Sequence, residues 1–412
     1  MPRLIGVDAG KSSLMLSWPA DREPRYWPTC EIRYDAPGWH HDLLSLIDHN
    51  AIVCVEPTGA HLITPLAALL RAFRPDAQLY QVQGAITAQV RLTHVSRTKS
   101  DPHDARALAV IAELIAQKKP PLRVRYYHAD TETAVQQLRS LINQHQRLTT
   151  ASTRLKNRLN LFAFSIWPNF AGSATYERAI SADAVSIAEV RALAASVTAT
   201  TPGYERGPSR TALKRLAADL PDIPTDPITA ATIRALTPEL AEYTRQRTAL
   251  RYEITYALTR PPFATAARRM ATRPVTTPLL IAAILVACHA AILDMSRDDF
   301  VASVAHGPRT SRSGQINKTA ANRKGYKPAR ALIHLAMMAI ISHYPTDTVA
   351  HAFARHERKG TPHPSAAAKT KFCRELWGRA RDDRCDYLPI IDPDLAAAFA
   401  GTLSLDTLTP QE

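Results

Sequence analysis

The chain has 412 residues, 46% of them hydrophobic, which is room for two or three domains with sizeable cores and excludes a disordered protein. A formal net charge of +14 points to a polyanionic partner, nucleic acid first, although ribosome-like or membrane-surface binding would share that charge. The five cysteines, Cys30, Cys54, Cys288, Cys373 and Cys385, are odd in number and form no CxxC pair, which fits a reducing cytoplasm better than a disulfide scaffold.

The first part of the chain alternates strand and helix signals, the pattern of an α/β layer architecture. Apolar runs at Leu4 to Val7, Leu14 to Leu16 and near Ile32 read as three short-linked, antiparallel strands. "GWHHDLLSLIDH" then reads as a helix, "AIVCVE" as a buried strand ending at Glu56, "HLITPLAALLRAF" as a helix and "AQLYQVQ" as a strand that precedes two more helices. Three strands, helix, strand, helix, strand, helix is the order of the ribonuclease-H fold.

The segment "IGVDAGKSS", residues 5–13, has the ending of a phosphate-binding loop, but the glycine such a loop needs five places before Gly10 is Ile5. Asp8 would also set a carboxylate where phosphate charge should sit. A nucleotide-binding loop is therefore not expected there.

Residues 130–164 read as one long helix with Val135, Leu138, Leu141, Ile142 and Leu148 near heptad spacing, then Leu155 and Leu159. His145 and Ser152 interrupt that seam. An intramolecular helical hairpin and a coiled coil between protomers both satisfy it, and both present Arg154, Lys156 and Arg158 to solvent. Residues 195–230, rich in Thr, Pro and Ala, read as a connector. The run "PLLIAAILVACHAAIL" from Pro278 is broken by His289 and too short to span a bilayer, so it reads as a buried helix; with no signal peptide expected at the N-terminus, neither secretion nor membrane association is expected. The expected division is residues 1–125, a helical segment with connector over 126–270, a mostly α-helical domain over 271–390, and a tail over 391–412.

Four acids carry the chemistry. Asp8 follows the first strand, Glu56 ends the fourth, and "SDPHDARALAVIAELIAQ" opens a helix with Asp101 and Asp104 three apart, so on one face. Each alone has an ordinary explanation: Asp101 as helix N-cap, Asp104 in the first-turn dipole, acids at strand ends. Four carboxylates gathered outside one sheet repel unless divalent cations neutralise them, and an oxygen-only set suits Mg²⁺, or Mn²⁺. Two such ions can clamp the attacking and leaving oxygens of a phosphodiester.

A second feature is "AHGPRTSRSGQINKTAANRKGYKPARALIHLA", with Arg309, Arg312, Lys318, Arg323, Lys324, Lys327 and Arg330 and no acid between Asp299 and Asp347. A solvated face normally mixes signs, so a single-sign run fits a phosphate backbone. Ser311 and Ser313 lie within it. His351, His356, His363, Cys373 and Cys385 match no common zinc spacing, and Trp167 with Phe170 reads as a packing cluster rather than a base-stacking platform.

"IGVDAGKSS", "VCVEPTGAH" and "RTKSDPHDARALA" together resemble the N-terminal motifs of the DEDD transposases of bacterial insertion sequences, the family that includes the Piv-type DNA invertases. The resemblance implies an N-terminal domain with the fold of the RuvC Holliday-junction resolvases, Asp8, Glu56, Asp101 and Asp104 as its metal-binding tetrad, and Lys99 meeting DNA phosphate. The 305–336 stretch and "HERKGTPHPSAAAKTKFCRELWGRARDD" resemble the family's second domain, whose Ser-Gly motif supplies a nucleophile that forms a phosphoserine link to DNA. Ser313 takes that role by position, with Ser311 in reserve. Two local departures are "RPVTTPLLIAA" for a Gly-Ile-Gly turn and "AHGPRT" for Gly-Leu-x-Pro. The resemblance further implies donor and target DNA as partners, a guide RNA encoded beside the gene, a homodimer or homotetramer, and a prokaryotic, nucleoid-associated setting. Three other readings compete: a structure-selective Holliday-junction-type endonuclease with water as nucleophile, a sugar-kinase or actin-like ATPase, and a non-catalytic nucleic-acid chaperone.

Overall fold

The computed structural model describes residues 3–56, 60–119, 124–127, 129–166, 175, 179, 184–201, 204, 207–219, 226–304, 308–313, 316–321, 326–360 and 363–404. It divides into two compact units, Met1–Gln136 and Gln137–Glu412.

The first unit is built on a six-stranded sheet: β1 (Leu4–Ala9), β2 (Ser13–Ser17), β3 (Thr29–Arg33), β4 (Ile52–Val55), β5 (Gln78–Val82) and β6 (Val124–Tyr126), in the spatial order β3-β2-β1-β4-β5-β6. The β1–β2–β3 meander is antiparallel, β1, β4 and β5 are parallel, and β6 returns antiparallel on β5. Crossovers are α1 (Trp39–Leu46) and α2 (Ala60–Phe73), and after β5 come α3 (Gly84–Val90), a π-turn at Arg91–Val95 and α4 (Asp101–Ala116). The expected order of strands and helices is thus present, with β6 added. Gly10, Lys11 and Ser12 form the β1–β2 hairpin connection, in which Gly10 N–H donates to the Ser13 carbonyl at 2.9 Å. They do not open a helix as a phosphate loop must.

Strand alternation sorts the two faces of this sheet. Ile5, Val7, Ala9, Val53 and Val55 point into one core with Leu43, Ile63 and Leu66 of α1 and α2. Ile52 and Cys54 point into the other, with Val90, Val95, Leu108 and Ile111. Gly6 and Asp8, even-numbered on β1, and Glu56, even-numbered after β4, belong to this second face, under α4.

In the second unit, α5 (Ala129–Ile166) is the long helix expected from the heptad pattern, and it begins within the first unit. Its Leu155, Leu159 and Ala163 pack with Val190, Leu213 and Ile233, so this part of the seam is covered by helices of the same chain. His145 and Ser152 are both buried in it, and Arg154, Lys156 and Arg158 are exposed as expected. The Pro278–Ala287 helix is buried throughout Pro278 to Val286. Among the described residues no helix is long and apolar enough to cross a membrane.

One expectation needs correction. Residues 195–230 are not simply a connector, because a helix at Gly207–Asp219 and the first turn of another at Pro227–Ala257 fall inside them. The basic stretch lies in the domain expected to be mostly α-helical. It holds an antiparallel pair, β7 (Pro308–Ser313) and β8 (Ile316–Ala321).

Candidate active site

The register of the central strands brings two of the acids together. β1 and β4 pair Gly6 with Cys54 and Val7 with Val55, and one residue further along each strand stand Asp8 and Glu56. The helix face that meets them is set by Gly6. A Cβ built on Gly6 would come within 2.1 Å of the Ala105 carbonyl oxygen and 2.3 Å of the Ala109 nitrogen, so the α4 backbone lies directly on β1. Asp104 precedes that contact by one residue and Asp101 by a helical turn. The first turn of α4 therefore lies toward the end of β1 that carries Asp8.

The electrostatics record this crowding. The Asp8 carboxyl is pushed up to about 6, first by burial and then by the negative charge of Asp101, Asp104 and Glu56; Lys99 pulls the other way. Asp101 is not the N-cap. Ser100 holds that position without a side-chain capping bond, and Asp101 is the first helical residue, exposed. Its ordinary capping role therefore falls away.

Two of the acids have local surroundings that the sequence did not reveal. Asp104 is buried, and its Oδ1 lies 2.7 Å from Nε of Arg91, itself buried on the π-turn. The Glu56 carboxylate lies over Gly84 at the start of α3, where a Cβ would come within 2.6 Å of Oε1. The four carboxylates share a neighbourhood around Asp8. Among the described residues no three His, Cys, Asp or Glu side chains stand close enough together to hold a metal ion. The chemistry of the donor set nevertheless fits a hard divalent cation, since all four donors are carboxylates and burial with the negative charge of the other three holds the Asp8 carboxyl up to about 6.

The basic stretch divides between described and undescribed residues. Arg309 pairs with Ala320, Ser311 with Lys318, Arg312 with Asn317 and Ser313 with Ile316 in the β7–β8 register. Arg323 and Lys324 lie outside the described residues, as do Trp167 and Phe170. Lys327 is exposed at the start of the Lys327–His343 helix, and Arg330 follows one turn later, half-buried. Sequence reasoning missed Lys369, on the Pro364–Arg381 helix. Burial and the nearby Arg330 lower its ammonium pKa, so it adds a cation beside the stretch. Cys373 and Cys385 are buried and take part in no metal-binding cluster among the described residues.

No curated protein is similar enough to the chain to count as a match. Residues 5–168, however, match the model of a family described as a transposase, the DEDD type of the IS110 insertion sequences. The matched span takes in Asp8, Glu56, Lys99, Asp101 and Asp104, ends just past α5, and is thus similar to that family over the whole carboxylate-bearing sheet.

Proposed function

We propose that the chain is the DNA transposase of an insertion sequence, an enzyme that cleaves and rejoins DNA. The observation that carries this reading is the gathering of Asp8, Glu56, Asp101 and Asp104 on one sheet face within the span similar to a transposase family. The strand order of the first unit agrees with a ribonuclease-H-like, RuvC-like domain. A net charge of +14 suits DNA, and an RNA that guides it, as partners.

Asp8, Glu56, Asp101 and Asp104 would hold Mg²⁺ or Mn²⁺, which when bound lowers the proton affinity of a nucleophile and offsets charge on the phosphate. Lys99, exposed just before α4, supplies a cation for a DNA phosphate beside these acids. The remaining chemistry falls to the basic stretch. The Ser313 hydroxyl gives up its proton, its oxygen bonds to phosphorus, and a sugar oxygen leaves as a hydroxyl. Rejoining reverses this with the hydroxyl of a second strand. Arg309, Arg312, Lys318, Arg323, Lys324, Lys327 and Arg330 hold the phosphate backbone, and Arg312, next to the serine, stabilises charge on the reacting phosphate. Ser311 is the reserve nucleophile. Exchange between two DNA sites needs several active sites, so a dimer or tetramer acts.

The test is to trap the covalent product. Protein recovered under denaturing conditions from cells carrying the gene and its flanking DNA should retain DNA on a peptide containing Ser313. Free DNA ends with no adduct would favour the water-using endonuclease.

A further inference from the structure

The buried pair between Arg91 and Asp104 has a use beyond packing. An arginine keeps its charge at all pH values met in a cell, and a buried carboxylate needs a partner. Here the partner comes from an unusual backbone feature: Arg91 opens the π-turn Arg91–Val95 directly after α3, and Val90 and Val95 on either side are fixed in the α4 core. The side chains of Arg91 and Asp104 are only 9% and 10% exposed, and Nε stands 2.7 Å from Oδ1. Asp104 also belongs to the acids grouped around Asp8. Among the described residues neither Asp101 nor Glu56 has an arginine or lysine salt-bridge partner, and the cation that acts on Asp8 is the exposed Lys99.

We infer that Arg91 is a built-in counter-ion for Asp104, which neutralises that carboxylate while the site is free of metal and which a divalent cation must displace to use Asp104. The inference rests on the metal-binding reading given above. A guanidinium beside a ligand opposes cation binding by Coulomb repulsion, so its presence weakens affinity while keeping the metal-free unit folded. Arg91 is thus a positioning residue, and it makes metal occupancy depend on what else enters the site.

The experiment is Mn²⁺ binding by calorimetry to the full chain, comparing wild type with Arg91→Gln. Arg91→Gln is expected to bind Mn²⁺ about tenfold more tightly, because one positive charge has gone from beside the ligand. It should also melt earlier than wild type without metal and gain more from Mn²⁺. Affinity equal to or weaker than wild type overturns the inference while leaving the metal site standing. A wild-type chain that binds no Mn²⁺ overturns the metal reading and this inference with it. A second measurement uses the conservative variant for assignment alone: the guanidinium Nε–H resonance of Arg91 in wild type, identified by its loss in Arg91→Lys, should shift on saturation with Mg²⁺. An unchanged resonance overturns the displacement.

Discussion

Gly6 of β1 lies so close beneath Ala105 of α4 that a methyl group on Gly6 would stand 2.1 Å from the Ala105 carbonyl oxygen. That contact is between two backbones, and neither has a flexible end to move aside. It sets how near the first turn of α4, with Asp101 and Asp104, comes to Asp8. Gly6→Ala should therefore force the helix off the strand and destabilise the first unit by about 3 kcal/mol, at the upper end of ordinary overpacking costs. Denaturant unfolding of the variant checks this, and a loss of 0.5 kcal/mol or less would mean that α4 is not seated there.

The raised Asp8 pKa gives a pH signature. A carboxyl whose folded pKa exceeds its unfolded value favours the folded state most when protonated, and that contribution is lost as pH rises. For Asp8 the window runs from the ordinary 3.8 to about 6. In chelator, wild type should lose stability on the order of 2 kcal/mol across it, and Asp8→Asn should lose less. Adding Mg²⁺ should remove the loss in wild type. An identical pH profile for the two proteins would place Asp8 away from the other acids.

His145 predicts the opposite sign. Burial, then Arg247 and Arg251, lowers its pKa from 6.5 to about 4, so the folded chain holds it neutral. Its contribution is present above pH 6.5 and is lost as pH falls toward about 4. His145→Gln should flatten this acid-side loss in thermal melts followed between those limits. NMR titration of the imidazole is the direct check, and a midpoint near 6.5 would contradict its burial against those arginines.

The cations at the start of the Lys327–His343 helix and near Arg330 should act through phosphate. Lys327→Ala and Lys369→Ala are each expected to weaken DNA binding for every sequence and to reduce the slope of log affinity against log salt by about one. A variant that changes sequence preference but not the salt slope would assign that lysine to base contact instead.

Much of the first unit could be read from the chain, because β1, β4 and β5 are apolar strands bounded by turn residues, with Asp8 the last residue but one of β1, although the sequence pattern places it just after the strand, and Glu56 directly following β4. Gly6 could also have been found: a glycine inside a strand marks a close backbone approach. Arg91 could not. An arginine in a helical stretch reads as a surface cation, and only the fold shows that the π-turn carries it inward. The helices within 195–230 left better signals than composition suggested, since Pro208 and Pro227 stand at helix starts and Asp226 caps the second by accepting from Thr229 N–H at 2.8 Å. The β7–β8 pair was hidden for a different reason. "PRTSRS" has no apolar alternation to mark a strand, and its pairing with "INKTAA" is a matter of register rather than of hydrophobic pattern.

The most direct test of the transposase reading is a junction assay in cells: the gene with its native flanking DNA, amplified for circular or rejoined products, with wild type beside Asp8→Ala and Ser313→Ala. The account predicts junctions from wild type and none from either variant. Junctions that persist in Asp8→Ala would contradict it, because strand exchange would then proceed without the carboxylate at the centre of the proposed site.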